Sequence, residues 1–305
     1  LTTVVLGNGL ISISSYMFQY CSNLSSVMIP DSVTNIGAYA FYSCGSLSNV
    51  VIPDGVTSIG ESAFGYCTSL TNITIPDSVM EIGNYSFSHC SGMMVIELGR
   101  GLISINRNAF ENCSSLTDVV IPDSVSSIGD NAFSCCSSLS CVTIPDSVIS
   151  IGHSAFIDCS SLRSIVIPDS VNSIGSSAFA RCSSLTYIVI PGSVSNLEYY
   201  TFGACTGLKS VTISSSVTSI KLQAFSECIS LTSVTIPDSV TSIGKSAFSG
   251  CDGLTSLTIP ASVTSIGDRA FYNCTAMDVV YCHADPAALT WGDASSDFKR
   301  DRKSV

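Results

Sequence analysis

A phenylalanine returns every 23 residues, from Phe18 through Phe133 to Phe271, twelve times without slippage. A cysteine stands three residues after each, from Cys21 through Cys136 to Cys274. A unit this short cannot bury its apolar face alone. It must stack on copies of itself, and a strict period of this length therefore predicts a solenoid.

Each unit reads L-x-x-V-x-I-P-D-S-V-x-x-I-G-x-x-A-F-x-x-C-x-x. The L-x-x-V-x-I segment, Leu116, Val119 and Ile121 for instance, alternates and is β-branched, which predicts a short strand. Pro122 ends it, having no N–H to continue a ladder. Asp123-Ser124 predicts a turn, with the aspartate bonding nearby N–H groups. Val125 to Ile128 predicts a second extended piece, closed by Gly129 at an expected positive φ. Ala132 to Cys136 predicts a single helical or 3₁₀ turn that brings the chain back. Stacked at about 4.8 Å per unit, the predicted fold is a right-handed curved arc of about twelve coils, on the order of 60 Å long.

That motif resembles the BspA-like, Treponema-type class of leucine-rich repeats. The resemblance covers residues 1–283, and the fold class it implies is a leucine-rich-repeat solenoid of mostly short parallel strands. It also implies a secreted or cell-surface bacterial protein engaged in adhesion to host proteins or other cells. Residues 284–305 leave the repeat and are expected to form a C-terminal cap or tail, with Trp291 and Phe298 covering the last core layer. Leu1 already holds a repeat position, 23 residues before Leu24, so the chain is expected to open inside a repeat. Any secretion signal or anchor would then lie outside it.

Composition narrows the function classes. Charged residues make up 11%, against roughly 25% in ordinary soluble proteins, so Ser, Thr and Asn must cover much of the surface. A net charge of −11 argues against nucleic acid, which needs clustered Lys and Arg. No apolar run reaches the roughly 18 to 20 residues of a membrane span. The glycines are spread along the repeats rather than gathered into a phosphate loop, and no cofactor is expected.

The fifteen cysteines invite a disulfide or metal reading. Twelve keep the 23-residue register and read most simply as small buried core residues. Cys135, Cys141 and Cys282 lie off it, and a Cys135–Cys141 bridge is the alternative to free thiols there. His89, His153 and His283 form no catalytic pattern and read as surface-loop residues. The Pro-Asp-Ser aspartates make a column that could attract calcium, but Arg100, Gly192, Ser215 and Ala261 interrupt it, and a repeated turn is the plainer reading. No catalytic, cofactor or metal residue is assigned.

The residues flanking the strand valine should point away from the core and line one face. Its middle part mixes acid, aliphatic and aromatic side chains: Glu97, Asp118, Val120, Val166, Tyr187 and Val189. These are the candidate partner-binding residues, since tyrosine is favoured at interface hot spots. Tyr199 and Tyr200, which break the repeat outside the sheet, form a second candidate patch. The plainer reading is that all of them merely suit an exposed β surface.

Together these features predict a non-enzymatic interaction or adhesion module binding a host or cell-surface protein. A glycan is less favoured because the repeats lack Trp. The alternative is a structural spacer that presents other domains and has no ligand of its own.

Overall fold

A computed structural model describes residues 1–292. The chain forms two compact units, Leu1–Leu162 and Arg163–Val305, built from the same coil. Each coil contributes one strand of two to four residues and one of two residues, except that residues 163–168 form no strand, and among the described residues the strands pair in parallel.

In the first unit one row of strands includes Asn72–Thr74, Val95–Glu97, Asp118–Val120 and Cys141–Thr143, hydrogen-bonded in that order. The second row includes Asn35–Ile36, Ser58–Ile59 and Glu81–Ile82. Partners lie 23 residues apart, as in Ile73 opposite Ile96 and Ile36 opposite Ile59, so the sequence period is the sheet register. The second unit repeats the scheme with Tyr187–Val189, Ser210–Thr212 and Ser233–Val234 in one row. Its other row runs from Asn196–Leu197 to Thr290–Trp291. There Trp291 stands opposite Ile266 and its ring meets Phe271 edge-on at 6.4 Å. Phe298 lies outside the described residues.

The return segment differs from expectation. Among the described residues there is no α- or 3₁₀-helix. Instead the residues two before and two after each phenylalanine have left-handed backbone, as at Asn108 (φ 55°) and Asn112 (φ 58°) around Phe110. Alternate N–H groups then serve two directions. Phe18 and Tyr20 donate to carbonyls of the next coil, Ala40 and Tyr42, while Gln19 and Cys21 donate back to Tyr16 and Phe18. A helical turn would satisfy only local partners. This conformation bonds neighbouring coils on a third side.

The core is a set of ladders. Phe41, Phe64 and Phe87 are fully buried and stack at 5.2–5.3 Å, nearly parallel, and Phe202, Phe225 and Phe248 do the same at 5.3–5.5 Å. Each buried ring contributes about 1.5–3 kcal/mol by leaving water, plus roughly 0.5–1.5 kcal/mol for the ring pair. All fifteen cysteines are free thiols, with Cys135 half-buried and Cys141 and Cys282 exposed. The ladder thiols have a specific partner: Cys67 Sγ donates to the Phe41 carbonyl (3.2 Å) and Cys228 to that of Phe202 (3.2 Å). Cysteine is small enough for the layer and brings a weak donor to a carbonyl with a spare lone pair.

Glycine after the isoleucine has a different cause from the one expected. Among the described residues only Gly250 is a positive-φ glycine. A Cβ on Gly83 would lie 2.4 Å from the Glu61 nitrogen, so glycine is needed because the coils' backbones approach closely. Where Glu198 and Lys221 replace it in successive coils, they pair with each other at 2.6 Å.

The Pro-Asp-Ser turn also corrects the sequence reading. Its serine, not its aspartate, makes the recurring bond: Ser78, Ser124 and Ser239 donate to the carbonyls of Val56, Leu102 and Val217 in the preceding coil. Threonines do likewise, Thr57 to Thr34 and Thr241 to Thr218. The low-charge surface is thus a set of hydroxyl rungs between coils.

Candidate functional site

The parallel strands place the predicted face residues in two separate settings. In the first unit Glu97, Asp118 and Val120 are all exposed, while Ile96 and Val119 between them are buried. Thr74 stands opposite Glu97 and donates its hydroxyl to the carboxylate at 3.0 Å. Asp118 lies between Val95 and Cys141. In the second unit Tyr187 and Val189 belong to one strand and are 46% and 43% exposed. The Tyr187 hydroxyl meets that of Thr212 at 3.0 Å. Val166 is the most open of the valines and tyrosine in the group at 78%, but residues 163–168 form no strand, so it does not sit on a paired ladder.

Tyr199 and Tyr200 have their ring centres 5.8 Å apart. Tyr199 is exposed, whereas Tyr200 is half-buried and lies over Gly203, whose added Cβ would meet the ring at 2.1 Å. Burial raises the Tyr200 hydroxyl above its ordinary pKa; Glu227 adds to this and Arg181 opposes it. Tyr200 therefore has a packing role, which leaves Tyr199 as the open part of this patch.

Two further surfaces lie outside the candidate residues, the first placed outward by strand alternation at Met28 and Val51 and the second not foreseen from the sequence. Val5, Met28 and Val51 occupy the outward slot after the strand valine in the first three coils and are 65–71% exposed. The second is an aromatic run on the return segments. Tyr16 stacks on Tyr39 (5.2 Å), Tyr39 meets Tyr42 edge-on (5.5 Å), Tyr42 meets Tyr66 (5.4 Å), and Tyr66 stacks on His89 at 4.2 Å. Tyr39, Tyr42, Tyr66, His89 and Tyr85 border a cleft of about 270 Å³, whose polar lining includes Glu61 and Glu111. The Tyr39 hydroxyl donates to Glu61 at 3.1 Å, and Asn108 Nδ2 donates to Glu111 at 2.9 Å. Burial raises the Tyr42 hydroxyl above its ordinary pKa, with Tyr66 and Tyr20 adding to it. At Tyr39 a Ser62 hydrogen bond lowers the pKa but is outweighed by the Glu61 bond, burial and the Glu61 charge. His89, read from sequence as a lone loop residue, is part of this stack. The available signal was an aromatic bias in slots that later repeats fill mostly with small or polar residues such as Asn108, Ser154, Arg181 and Glu227.

Among the described residues, no group of three or more His, Cys, Asp and Glu is placed to hold a metal ion, and no helix is long and apolar enough to cross a membrane. Burial raises the ladder thiols, Cys44 and Cys205 to about 12 and Cys67, Cys90 and Cys228 well above the ordinary value. The thiolate is the reactive form, so these sulfurs are poor nucleophiles and poor metal ligands at neutral pH.

Stacked parallel coils, a fixed repeat and outward slots on a rigid frame define a leucine-rich-repeat solenoid, a scaffold for interaction. The chain belongs to the BspA-type leucine-rich-repeat family. The sequence profile described as BspA type leucine rich repeat region (6 copies) matches residues 1–96, 81–209 and 195–285. A leucine-rich repeat protein from Bacteroides ovatus is 31% identical, with a TM-score of 0.86, over 96% of this chain and 74% of that one. A leucine rich cell surface protein from Faecalibacterium prausnitzii is 29% identical, with a TM-score of 0.57, over 94% and 89% of the two chains. The pneumococcal vaccine antigen PcpA, 20% identical, has the same fold with a TM-score of 0.67 over 98% of this chain and 82% of its own. No curated protein matches.

Proposed function

We propose that the chain is a non-enzymatic interaction and adhesion module, exposed outside the cell, that binds a host or cell-surface protein through outward slots of its coils. The observation that carries this is the exposure of Val120, Tyr187 and Val189 on strands whose alternate residues are buried. Such side chains add nothing to the core, and apolar and aromatic groups held on a rigid backbone suit partner contact. Family membership and the description of the Faecalibacterium relative as a cell surface protein support the location. Residues 284–305 are read as a cap or tail of the repeat region 1–283; the contact of Trp291 with Phe271 supports a cap for residues 284–292, and the rest lies outside the described residues.

The test is binding of the purified chain to immobilised extracellular-matrix proteins and to intact host cells, with Glu97→Ala/Asp118→Ala and Tyr187→Ala variants. Loss of at least tenfold in affinity in either variant, with unfolding unchanged, supports the reading. Binding that is absent throughout, or indifferent to both variants, favours the spacer reading, for which the hydroxyl-lined strands Ser210–Thr212 and Ser256–Ile259 are the specific support.

A further inference from the structure

The aromatic run of the first four coils has no core purpose, and its backbone is the costly part. Tyr16, Tyr20, Tyr39, Tyr66, Tyr85 and His89 all have φ between 58° and 64°. Left-handed backbone costs a bulky L-residue roughly 1–2 kcal/mol. Asn112, Asn131 and Gly250 fill equivalent slots in other coils, where small or amide side chains bear that conformation more easily. Tyr16 and Tyr20 remain 57% and 66% exposed, so burial does not offset the cost. The same left-handed slots hold Arg181, Gln223, Glu227 and Arg269 in later coils, so the backbone belongs to the frame and only the choice of aromatic side chains is special to the first coils.

The cleft's lining says which ligand. Glu61 and Glu111 supply two carboxylates, and no Lys or Arg lines the cleft. Among the described residues neither carboxylate is paired with a cationic side chain; their partners are the Tyr39 hydroxyl, Asn108 and Ser88. Tyrosine rings attract cations through their faces, and carboxylates at the same mouth add direct charge attraction. At about 270 Å³ the cleft is below the range of roughly 300–1,000 Å³ that holds drug-sized ligands. It suits one long side chain better than an oligosaccharide ring system. A net charge of −11 would steer a basic partner toward the chain.

We infer that the cleft between Tyr39, Tyr66 and Tyr85 is a cation-accepting pocket that takes a lysine or arginine side chain from a basic segment of a partner protein. This deepens the interaction-module reading and rests on it. It assigns the specificity for charge to the return segments rather than to the strand face.

The probe is a synthetic nonapeptide alternating Arg and Gly, titrated by calorimetry at low and moderate salt. Peptides with Glu or Ser in place of Arg, and a neutral hexasaccharide, are run beside it. The Arg peptide is expected to bind, and the Glu61→Gln/Glu111→Gln variant and the Tyr66→Ala variant are each expected to weaken it at least tenfold. Asp123→Asn/Asp146→Asn removes the same charge from exposed turns outside the cleft and is expected to change binding less than twofold, which separates a pocket from general acidity. The inference is overturned if both double variants weaken binding equally, if the Ser peptide binds as well as the Arg peptide, or if the hexasaccharide binds in its place. If these pocket variants are silent while the strand-face variants lose the matrix proteins, the pocket fails and the interaction-module reading stands. If neither set affects any binding, both fail.

Discussion

The coils of residues 16–89 and those of residues 210–258 have the same interior and different exteriors. Phe41, Phe64 and Phe87 match Phe225 and Phe248 in burial, and Cys67 and Cys228 make the same S–H bond to the phenylalanine carbonyl of the preceding coil, Phe41 and Phe202. Outside, the first set carries Tyr16, Tyr39, Tyr66 and His89 where the second carries Gln223, Glu227, Ser246 and Gly250. The strand face changes as well, from Met28 and Val51 to Thr212 and Thr258. A strict repeat therefore constrains only what the neighbouring coil touches. Everything else on the frame is free to vary without disturbing the interior.

The largest effect expected from a shared interior is on alkaline stability. The ordinary thiol value is 9.0, and burial raises Cys44 and Cys205 to about 12 and Cys67 and Cys228 well above 9.0. Below pH 9 both the folded and unfolded chains keep these protons, and the stabilisation is complete. Above it the unfolded chain releases protons that the folded chain retains, so stability falls as pH rises toward the folded values. Each thiol contributes about 1.4 kcal/mol per pH unit to that slope. Urea unfolding at pH 7, 9.5 and 10.5 should show a steep loss, and Cys67→Ala and Cys228→Ala should flatten it equally. Unequal flattening would break the claim of one interior.

Next in size is truncation of the ring ladder. Phe64→Ala and Phe225→Ala should each cost about 3–5 kcal/mol, since each leaves a cavity between two stacked neighbours. Similar losses by chemical denaturation support the equivalence; a difference above about 2 kcal/mol would show that the exterior feeds back on the core.

A sharper contrast lies in the alanine slot before the phenylalanine. Ser86 is fully buried and its hydroxyl has no hydrogen-bond partner, whereas Thr201 in the same slot donates to the Glu198 carbonyl at 2.9 Å. Ser86→Ala should stabilise by about 1 kcal/mol, because a stranded buried hydroxyl costs about 1–3 kcal/mol. Thr201→Ala should destabilise by about 1 kcal/mol through the lost bond and methyl. Thermal melts of the two variants should shift in opposite directions.

The fold was legible because its determinants are repeated. Phe18 to Phe271 and Cys21 to Cys274 give the register, and the paired strands keep it residue for residue. The return segment was not legible, because Ala-Phe-x-x-Cys at Phe133 suits one helical turn by local propensity. Bonds to the next coil, such as Phe133 N–H to the Ala155 carbonyl, override it, and no local pattern reports them. The role of Gly83 was hidden similarly, since close approach leaves the same residue choice as a left-handed turn. Outward placement of Glu97, Asp118 and Tyr187 followed from strand alternation, while the aromatic cleft did not. Its rings are 23 to 27 residues apart in pairs such as Tyr66–His89 and Tyr39–Tyr66, and only the coil geometry brings them together.

The smallest expected effect tests the comparison most directly. If the tyrosines of the first coils are an exterior feature, removing one should not weaken the frame. Tyr20 is 66% exposed at φ 62°, with one edge contact to Tyr42 at 5.8 Å. Asn112 and Asn273 occupy the same slot two residues after their phenylalanines, at φ 58°. Tyr20→Asn gives up a ring contact worth about 0.5–1 kcal/mol and relieves part of a left-handed penalty of roughly 1–2 kcal/mol. The net change should lie between zero and about 1 kcal/mol of added stability, by the same two magnitudes. A loss greater than about 1 kcal/mol would mean the rings hold the first coils together. The aromatic run would then be a structural edge and not a surface kept for a partner.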